Sequence, residues 1–200
     1  MRIILVVAVL LFGLPLSALG QSSFMARTGG FLEANKPDLA MTYQFMRSNT
    51  QPGECGCFGI NGAGLSASWA FRPGLAVVVE GDADFAGNGP GTGNSMTLVS
   101  GVGGVRYILP VQPPGRRAPQ FFAEAMAGGG HAGGGIAGAG DGSFAFAGRA
   151  GGGFDQALTD RFALRFEADY APTTFANGGN NHQNNLLIAV GFVFHWSHPR

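Results

Sequence analysis

Apolar residues alternate with small or polar residues through most of this chain, in successive stretches between positions 39 and 196. The clearest stretch, 161–170, reads RFALRFEADY. Successive side chains of a β-strand point to opposite faces, so this pattern predicts a strand with two unlike faces. One face of the stretch would carry Phe162, Leu164, Phe166, Ala168 and Tyr170, and the other would carry charged and small residues.

Eight segments of this kind lie along the chain, and together they predict an all-β protein. They cover residues 39–47, 61–71, 75–85, 96–109, 120–131, 144–155, 161–170 and 185–196. The pattern does not show which face of the fifth segment points inward, because two adjacent phenylalanines, Phe121 and Phe122, place an aromatic ring on each face. If Glu124 faces inward, Phe121, Ala123 and Ala125 face outward.

The connections between the segments differ in length. Four are polar and rich in glycine or asparagine, at residues 48–60, 86–95, 128–143 and 171–184. The connections after segments two and six are tight, whereas the proline-rich connection 110–119 is too long for a tight turn. Long external loops and short periplasmic turns are typical of outer-membrane barrels, and an even strand number returns both termini to one side. The pattern therefore favours a closed, eight-stranded antiparallel transmembrane β-barrel.

The N-terminal residues have the pattern of a secretory signal peptide. Arg2 precedes an apolar run at 3–14, and Gly20 ends the segment at an expected cleavage site. The run is shorter than the roughly 20 apolar residues of a membrane-spanning helix, and Pro15 interrupts it. We therefore expect export with cleavage. The chain then divides into a signal peptide, a lead-in, a barrel and a tail, at residues 1–20, 21–37, 38–196 and 197–200.

Composition narrows the function classes. Charged residues make up 12% of the chain, about half of the usual share. The 12 Lys and Arg residues balance the 12 Asp and Glu residues, so no broad attraction to nucleic acid is expected, and no nucleic-acid partner. The 35 glycines are interleaved with Phe, Val and Leu at strand spacing, which disordered segments lack.

The stretch 151–170, GGGFDQALTDRFALRFEADY, resembles the penultimate hairpin of small outer-membrane β-barrel proteins of the OmpA/OmpX type, and the resemblance covers residues 38–196. The stretch 190–196, VGFVFHW, alternates apolar residues and ends on an aromatic. In that family such an end is read by the outer-membrane insertion machinery. The resemblance thus implies Phe192, Phe194 and Trp196 as the insertion signal, and implies outer-membrane lipids and the insertion machinery as partners.

Nine charged residues fall on the predicted inner face. They are Glu80, Asp82, Asp84, Arg106, Glu124, Arg149, Arg165, Glu167 and Asp169. Buried charges persist when they are paired and hydrogen-bonded, so we expect a salt-bridge network that fills the lumen. A narrow gated ion path is an alternative for the same residues. Acid–base chemistry by paired carboxylates is a third, although no nucleophile stands out.

Two further constellations invite chemical interpretations. Cys55 and Cys57 lie in the first long connection, where an oxidising compartment favours a disulfide. Only one residue separates them, so the ring would be strained, and free thiols or redox or metal chemistry are the alternatives.

His195 and Ser197 share a strand face in a segment similar to that of lipid A deacylase barrels, where a histidine activates a serine. The pair here lies at the periplasmic end, away from the outer leaflet.

The sequence predicts a non-enzymatic outer-membrane barrel with a structural or surface-interaction role. Its external loops would contact any extracellular ligand. We expect no catalytic residue, no cofactor and no metal. The glycine-rich segment around His131 lacks the Lys and Ser or Thr of a phosphate-binding loop. A small ion or solute channel is the first alternative, and a lipid A-modifying enzyme is the second.

Overall fold

The computed structural model of the protein describes residues 37–49, 57–87, 95–109, 118–134, 143–175 and 181–196. Each strand pairs with the next in antiparallel fashion, and the last pairs with the first to close a barrel. In the described ranges no helix is long and apolar enough to cross a membrane. The strands are β1 (Asp38–Asn49), β2 (Cys57–Arg72), β3 (Leu75–Ala86), β4 (Met96–Ile108), β5 (Gln120–Gly134), β6 (Ser143–Ala157), β7 (Phe162–Tyr170) and β8 (Leu186–His195).

The eight-stranded barrel predicted from the alternation is confirmed, but several strands are longer than predicted. β2 begins at Cys57 rather than residue 61, and β5 continues to Gly134 rather than residue 131. The extra residues still pair, as Asn49 with Cys57 and Met96 with Gly134. Backbone pairing does not require an apolar side-chain pattern, so the pattern fades before the ladder ends. The connections 48–60 and 128–143 are therefore shorter than predicted, at residues 50–56 and 135–142.

The two ends of the barrel are distinct. At the end that we name the turn end, Pro73 and Gly74 join β2 to β3, and Gly74 has a positive φ of 75°, which suits a residue without Cβ. The opposite end, named the mouth, carries the connections 50–56, 88–94, 135–142 and 176–180. The chain enters and leaves the barrel at the turn end, where Asp38 pairs with His195.

Large apolar side chains cover the outer surface. On β7 the outward residues Phe162 and Tyr170 lie eight positions apart, with Phe166 midway. A rise of about 3.3 Å per residue and a tilt of about 40° place the two aromatic ends about 20 Å apart across the membrane, close to the apolar band of outer-membrane barrels. At the turn end the rings of Phe194 and Phe162 lie 5.3 Å apart and those of Phe194 and Trp196 lie 5.7 Å apart. The outer face therefore suits a lipid bilayer.

The register of β5 is settled by its partners. Glu124 faces the lumen and pairs with Arg106 on β4 and Gly151 on β6. Phe122 consequently lies inside the barrel and is buried, whereas Phe121 faces outward.

Glycines on the inner face make room for charged side chains. A Cβ atom at Gly62 would lie 2.0 Å from Oδ1 of Asp84, and one at Gly151 would lie 2.1 Å from Oδ1 of Asp169. In each pair the glycine sits directly across the ladder from the aspartate. Part of the high glycine content therefore serves to fit carboxylates into a narrow lumen.

Candidate functional site

The lumen is crossed by a guanidinium bridge. Arg149 on β6 forms ion pairs with Glu80 and Asp82 on β3, a strand that is not its neighbour in the wall. Asp82 also accepts a hydrogen bond from the hydroxyl of Ser100, at 2.5 Å to Oδ2. All three charged groups are buried. The bridge therefore fills the middle of the barrel rather than lining an open channel.

Two more arginines lie deeper towards the turn end. Arg165 donates to both carboxylate oxygens of Asp155, at 2.8 and 2.7 Å. Arg106 binds Glu124 at 2.6 Å. The ring of Phe122 lies between the two guanidiniums, with its centroid 4.4 Å from Arg106 Cζ and 4.8 Å from Arg165 Cζ. The inward ring thus adds cation–π contacts to the two ion pairs.

All nine inner-face residues predicted from the sequence are buried in the barrel. The prediction omitted Asp155, although the alternation along 144–155 already places it on the same face as Arg149. With Asp155 included, the described lumen holds seven buried carboxylates against three guanidiniums. The carboxylates are Glu80, Asp82, Asp84, Glu124, Asp155, Glu167 and Asp169.

The ion pairs of the lumen do not extend to every carboxylate in this set. Asp84 accepts a hydrogen bond from Nε2 of Gln44 at 3.0 Å, but its Oδ2 has no partner among the described residues. No arginine, amide or hydroxyl group of the described chain donates to either carboxylate oxygen of Asp169, which is only 1% exposed and lies within hydrogen-bonding reach of the Glu167 carboxyl group. Alternation along the strands identifies which charged residues face inward, but it does not show whether each of them has a partner of opposite charge.

Beyond β7 and β8, residues 171–175 and 181–185 continue the hairpin towards the mouth in the same register. Thr173 pairs with Gln183 through two backbone hydrogen bonds, of 3.1 and 2.9 Å, and also bridges to Ala147 on β6. Gln183 further exchanges side-chain hydrogen bonds with the backbone of Phe175, each at 2.9 Å. We name the paired residues 171–175 and 181–185 the cap. The sequence predicted all of 171–184 to be a surface loop, and the burial of the cap corrects this.

The cap is held to the barrel by packing and by hydrogen bonds. Phe175 is 5% exposed and packs in an apolar layer with Met46, Ile60, Ala86, Met96, Leu98, Ala132, Ala171, Leu187 and Ala189. The hydroxyl of Ser48 donates to Oδ1 of Asn185 at 2.5 Å, and Nδ2 of Asn185 donates to the carbonyl of Ala171 at 2.8 Å. The cap is therefore anchored to the barrel by one buried aromatic side chain and by buried polar groups.

The remaining predicted residues lie at the surface or outside the described chain. Phe192 and Trp196 are exposed on the outer face, and Phe194 lies between Phe162 and Trp196. Their role as an insertion signal stays a prediction. The signal peptide, Cys55 and Ser197 lie outside the described residues, so the leader, the disulfide and the His–Ser pair also stay untested.

One polar contact at the turn end was not anticipated. Nδ1 of His195 lies 3.0 Å from Oδ1 of Asp38, directly across the ladder between β8 and β1. The pair joins the first and last strands at the seam where the barrel closes. Its sequence signal was weak, because Asp38 immediately precedes the first alternating segment.

The fold is that of a small outer-membrane β-barrel, with eight antiparallel strands, a charged interior and an apolar exterior. No protein-family model and no curated protein matches the sequence. Among solved structures, Neisserial surface protein A is 15% identical, with a TM-score of 0.63, over 80% of this chain and 97% of its own. The attachment invasion locus protein Ail of Yersinia pestis is 12% identical, with a TM-score of 0.49, over 78% and 98%.

Proposed function

We propose that this protein is a non-enzymatic outer-membrane barrel that acts at the cell surface through its mouth end and does not conduct solutes. The closed interior is the observation that supports the proposal most strongly. Phe175 packs inside the mouth, Arg149 bridges the middle, and Phe122 lies between Arg106 and Arg165 towards the turn end. A barrel blocked at three levels offers no continuous wet path, so its activity is expected outside the lumen.

The mouth end offers a surface for contact. The mouth ends of β5 and β6 pair with each other, and residues 146–148 of β6 also bond to residues 172–174 of the cap. A transmembrane strand needs about 9–11 residues, whereas β5 and β6 each have 15. The extension carries Phe144, which is 76% exposed. We refer to residues 128–134 and 143–149 as the projecting hairpin, and we propose that it contacts the extracellular ligand.

The projecting hairpin is also rigidly supported. The backbone of Phe146 bonds to Thr174 of the cap on both sides, through its carbonyl and its amide. The ring of His131 lies 5.0 Å from the ring of Phe144. Side chains presented by a rigid element lose little conformational freedom on binding, which favours affinity.

Attachment of intact cells tests this role. Bacteria that express the barrel, with or without Phe144→Ser, are compared for attachment to surfaces coated with extracellular-matrix protein, at matched amounts of barrel in the outer membrane. We expect the variant to attach less, because an exposed aromatic anchor is lost. Phe85→Ser, an outward-facing control on β3, should attach as the parent does. Equal attachment by all three strains, and by cells without the barrel, would contradict the surface role.

A narrow cation path is the second candidate, and the excess of buried carboxylates favours it. Such a path requires the cap to open. Uptake of a small cation into proteoliposomes that contain the barrel distinguishes the two candidates, because a closed barrel gives no more uptake than empty liposomes. A lipid A hydrolysis assay on the same material tests the proposed lack of enzymatic activity.

A further inference from the structure

Three carboxylates from two strands converge inside the barrel. Glu124 lies on β5, and Glu167 and Asp169 lie on β7, with β6 between those strands in the wall. One oxygen from each of the three lies within 4.8 Å of the others, and all three residues are buried. A group that contacted all three would therefore link non-adjacent strands through the lumen.

The cluster holds polar atoms without partners. When the carboxyl groups are ionised, both oxygens of Asp169 and Oε1 of Glu124 lack a hydrogen-bond donor among the described residues, and Asp169 faces the carboxylate of Glu167. Leaving a buried acceptor unsatisfied costs about 1–3 kcal/mol, and more for a charged group. Asp169 sits next to Gly151, so no side chain from β6 fills the space beside it. The unpartnered oxygens thus point to a positive ligand rather than to a neighbouring side chain.

The surrounding charges set the expected charge of that ligand. Arg106 pairs with Glu124 at 2.6 Å and lies 3.9 Å from Glu167. The other two lumen arginines are engaged elsewhere, Arg165 by Asp155, and Arg149 by Glu80 and Asp82. One guanidinium therefore serves three carboxylates, which leaves two negative charges when all three are ionised. A divalent cation would neutralise them.

We propose that Glu124, Glu167 and Asp169 bind one calcium ion inside the barrel. Carboxylate oxygens are the ligands of hard cations such as calcium and magnesium. Oxygens that lie within 4.8 Å of one another can bind one such cation. Calcium accepts irregular geometry and several carboxylates, whereas magnesium requires near-octahedral geometry and usually keeps several waters with only one or two carboxylates. The ion would stabilise the barrel by joining β5 to β7.

Calcium titration of the folded barrel tests the site. The full chain, after removal of any leader, is folded in detergent, treated with chelator, and titrated with calcium chloride by calorimetry. The same samples are unfolded in urea with and without calcium. We expect one calcium per barrel and an upward shift of the unfolding midpoint, because a ligand that binds only the folded state stabilises it.

Matched variants distinguish this site from other lumen carboxylates. Asp169→Asn and Glu167→Gln should each weaken calcium binding about tenfold or more, since charged ligands set the affinity of such sites. Asp84→Asn removes another under-paired carboxylate outside the cluster and should bind calcium as the parent does. Without calcium, Asp169→Asn should unfold at a urea concentration no lower than the parent, because the substitution relieves repulsion between carboxylates.

Several results would overturn the proposal. One is a parent barrel that shows neither binding nor stabilisation with millimolar calcium. Another is calcium binding that persists in both Asp169→Asn and Glu167→Gln. If Asp84→Asn lost calcium binding to the same extent, the ion would have to bind elsewhere in the lumen. If magnesium bound more tightly than calcium, the choice of calcium would be refuted.

Discussion

Phe175 should contribute strongly to the stability of the barrel, although it lies outside the strands. Its side chain is 5% exposed and fills the apolar layer beneath the mouth, where a ring carbon would lie 3.2 Å from a Cβ placed at Gly130. Replacement of a buried phenylalanine by alanine costs about 3–5 kcal/mol when the cavity persists. Because the cap can partly collapse into the space, we expect Phe175→Ala to lower the free energy of unfolding by about 3 kcal/mol.

Urea unfolding of the barrel in lipid vesicles, followed by tryptophan fluorescence, measures this loss. Phe144→Ala is the matched control, because it removes the same ring from an exposed position at the same end. We expect the control to change stability by well under half as much. If Phe175→Ala cost no more than Phe144→Ala, the ring would not be packed in the mouth and the cap would not seal the lumen.

Three further substitutions test the faces and ends of the strands. Phe166→Arg, midway along the outer face of β7, should lower the free energy of unfolding in vesicles by about 2–4 kcal/mol. An unchanged urea midpoint would mean that the inner and outer faces of β7 are assigned the wrong way round. Arg165→Met should cost about 3–5 kcal/mol by leaving Asp155 buried without its partner, and the double variant that also carries Asp155→Leu should recover most of that loss in the same assay. Trp196→Asp should deplete the protein from outer-membrane fractions in quantitative blots, and normal amounts there would contradict its role in insertion.

The sequence predicts the strands well wherever lipid imposes a pattern. On β7 and β8 every outward position must be apolar, so alternation identifies both faces. The pattern is interrupted at the mouth ends of β2 and β5, by Gly59 and by the glycines of 128–134, yet both ends remain paired. Those ends are set by backbone hydrogen bonds, and single-chain periodicity does not report them.

The sequence predicts which residues face the lumen, but not which of those residues contact one another. Alternation places Glu80, Asp82 and Arg149 on one face, yet their contact depends on how the closed wall brings β3 and β6 together. For the same reason, the sequence did not predict that Glu124 lies close to Glu167 and Asp169. Strand alternation carries no information on which level of the barrel a residue occupies, because that depends on the stagger between strands.

The cap could not be predicted from the pattern. Residues 171–184 are polar and have no period, which is typical of an exposed loop. Their burial depends on long-range contacts, such as the hydrogen bond from Ser48 to Asn185, and on a single phenylalanine, Phe175, that enters the mouth. The interpretation of 171–184 as an exposed loop is therefore wrong for the buried residues of the cap.

The conductance of single barrels in planar lipid bilayers tests the closed lumen most directly. Purified protein is inserted at low density, and current is recorded across a range of voltages with Phe175→Gly as a comparison. We predict no steady conductance from the parent, since Phe175, the Arg149 bridge and the layer of Arg106, Phe122 and Arg165 fill the interior at three levels. Steady cation-selective current from the parent, lost when Glu80, Asp82 and Asp84 are neutralised together, would contradict the closed lumen and establish a channel.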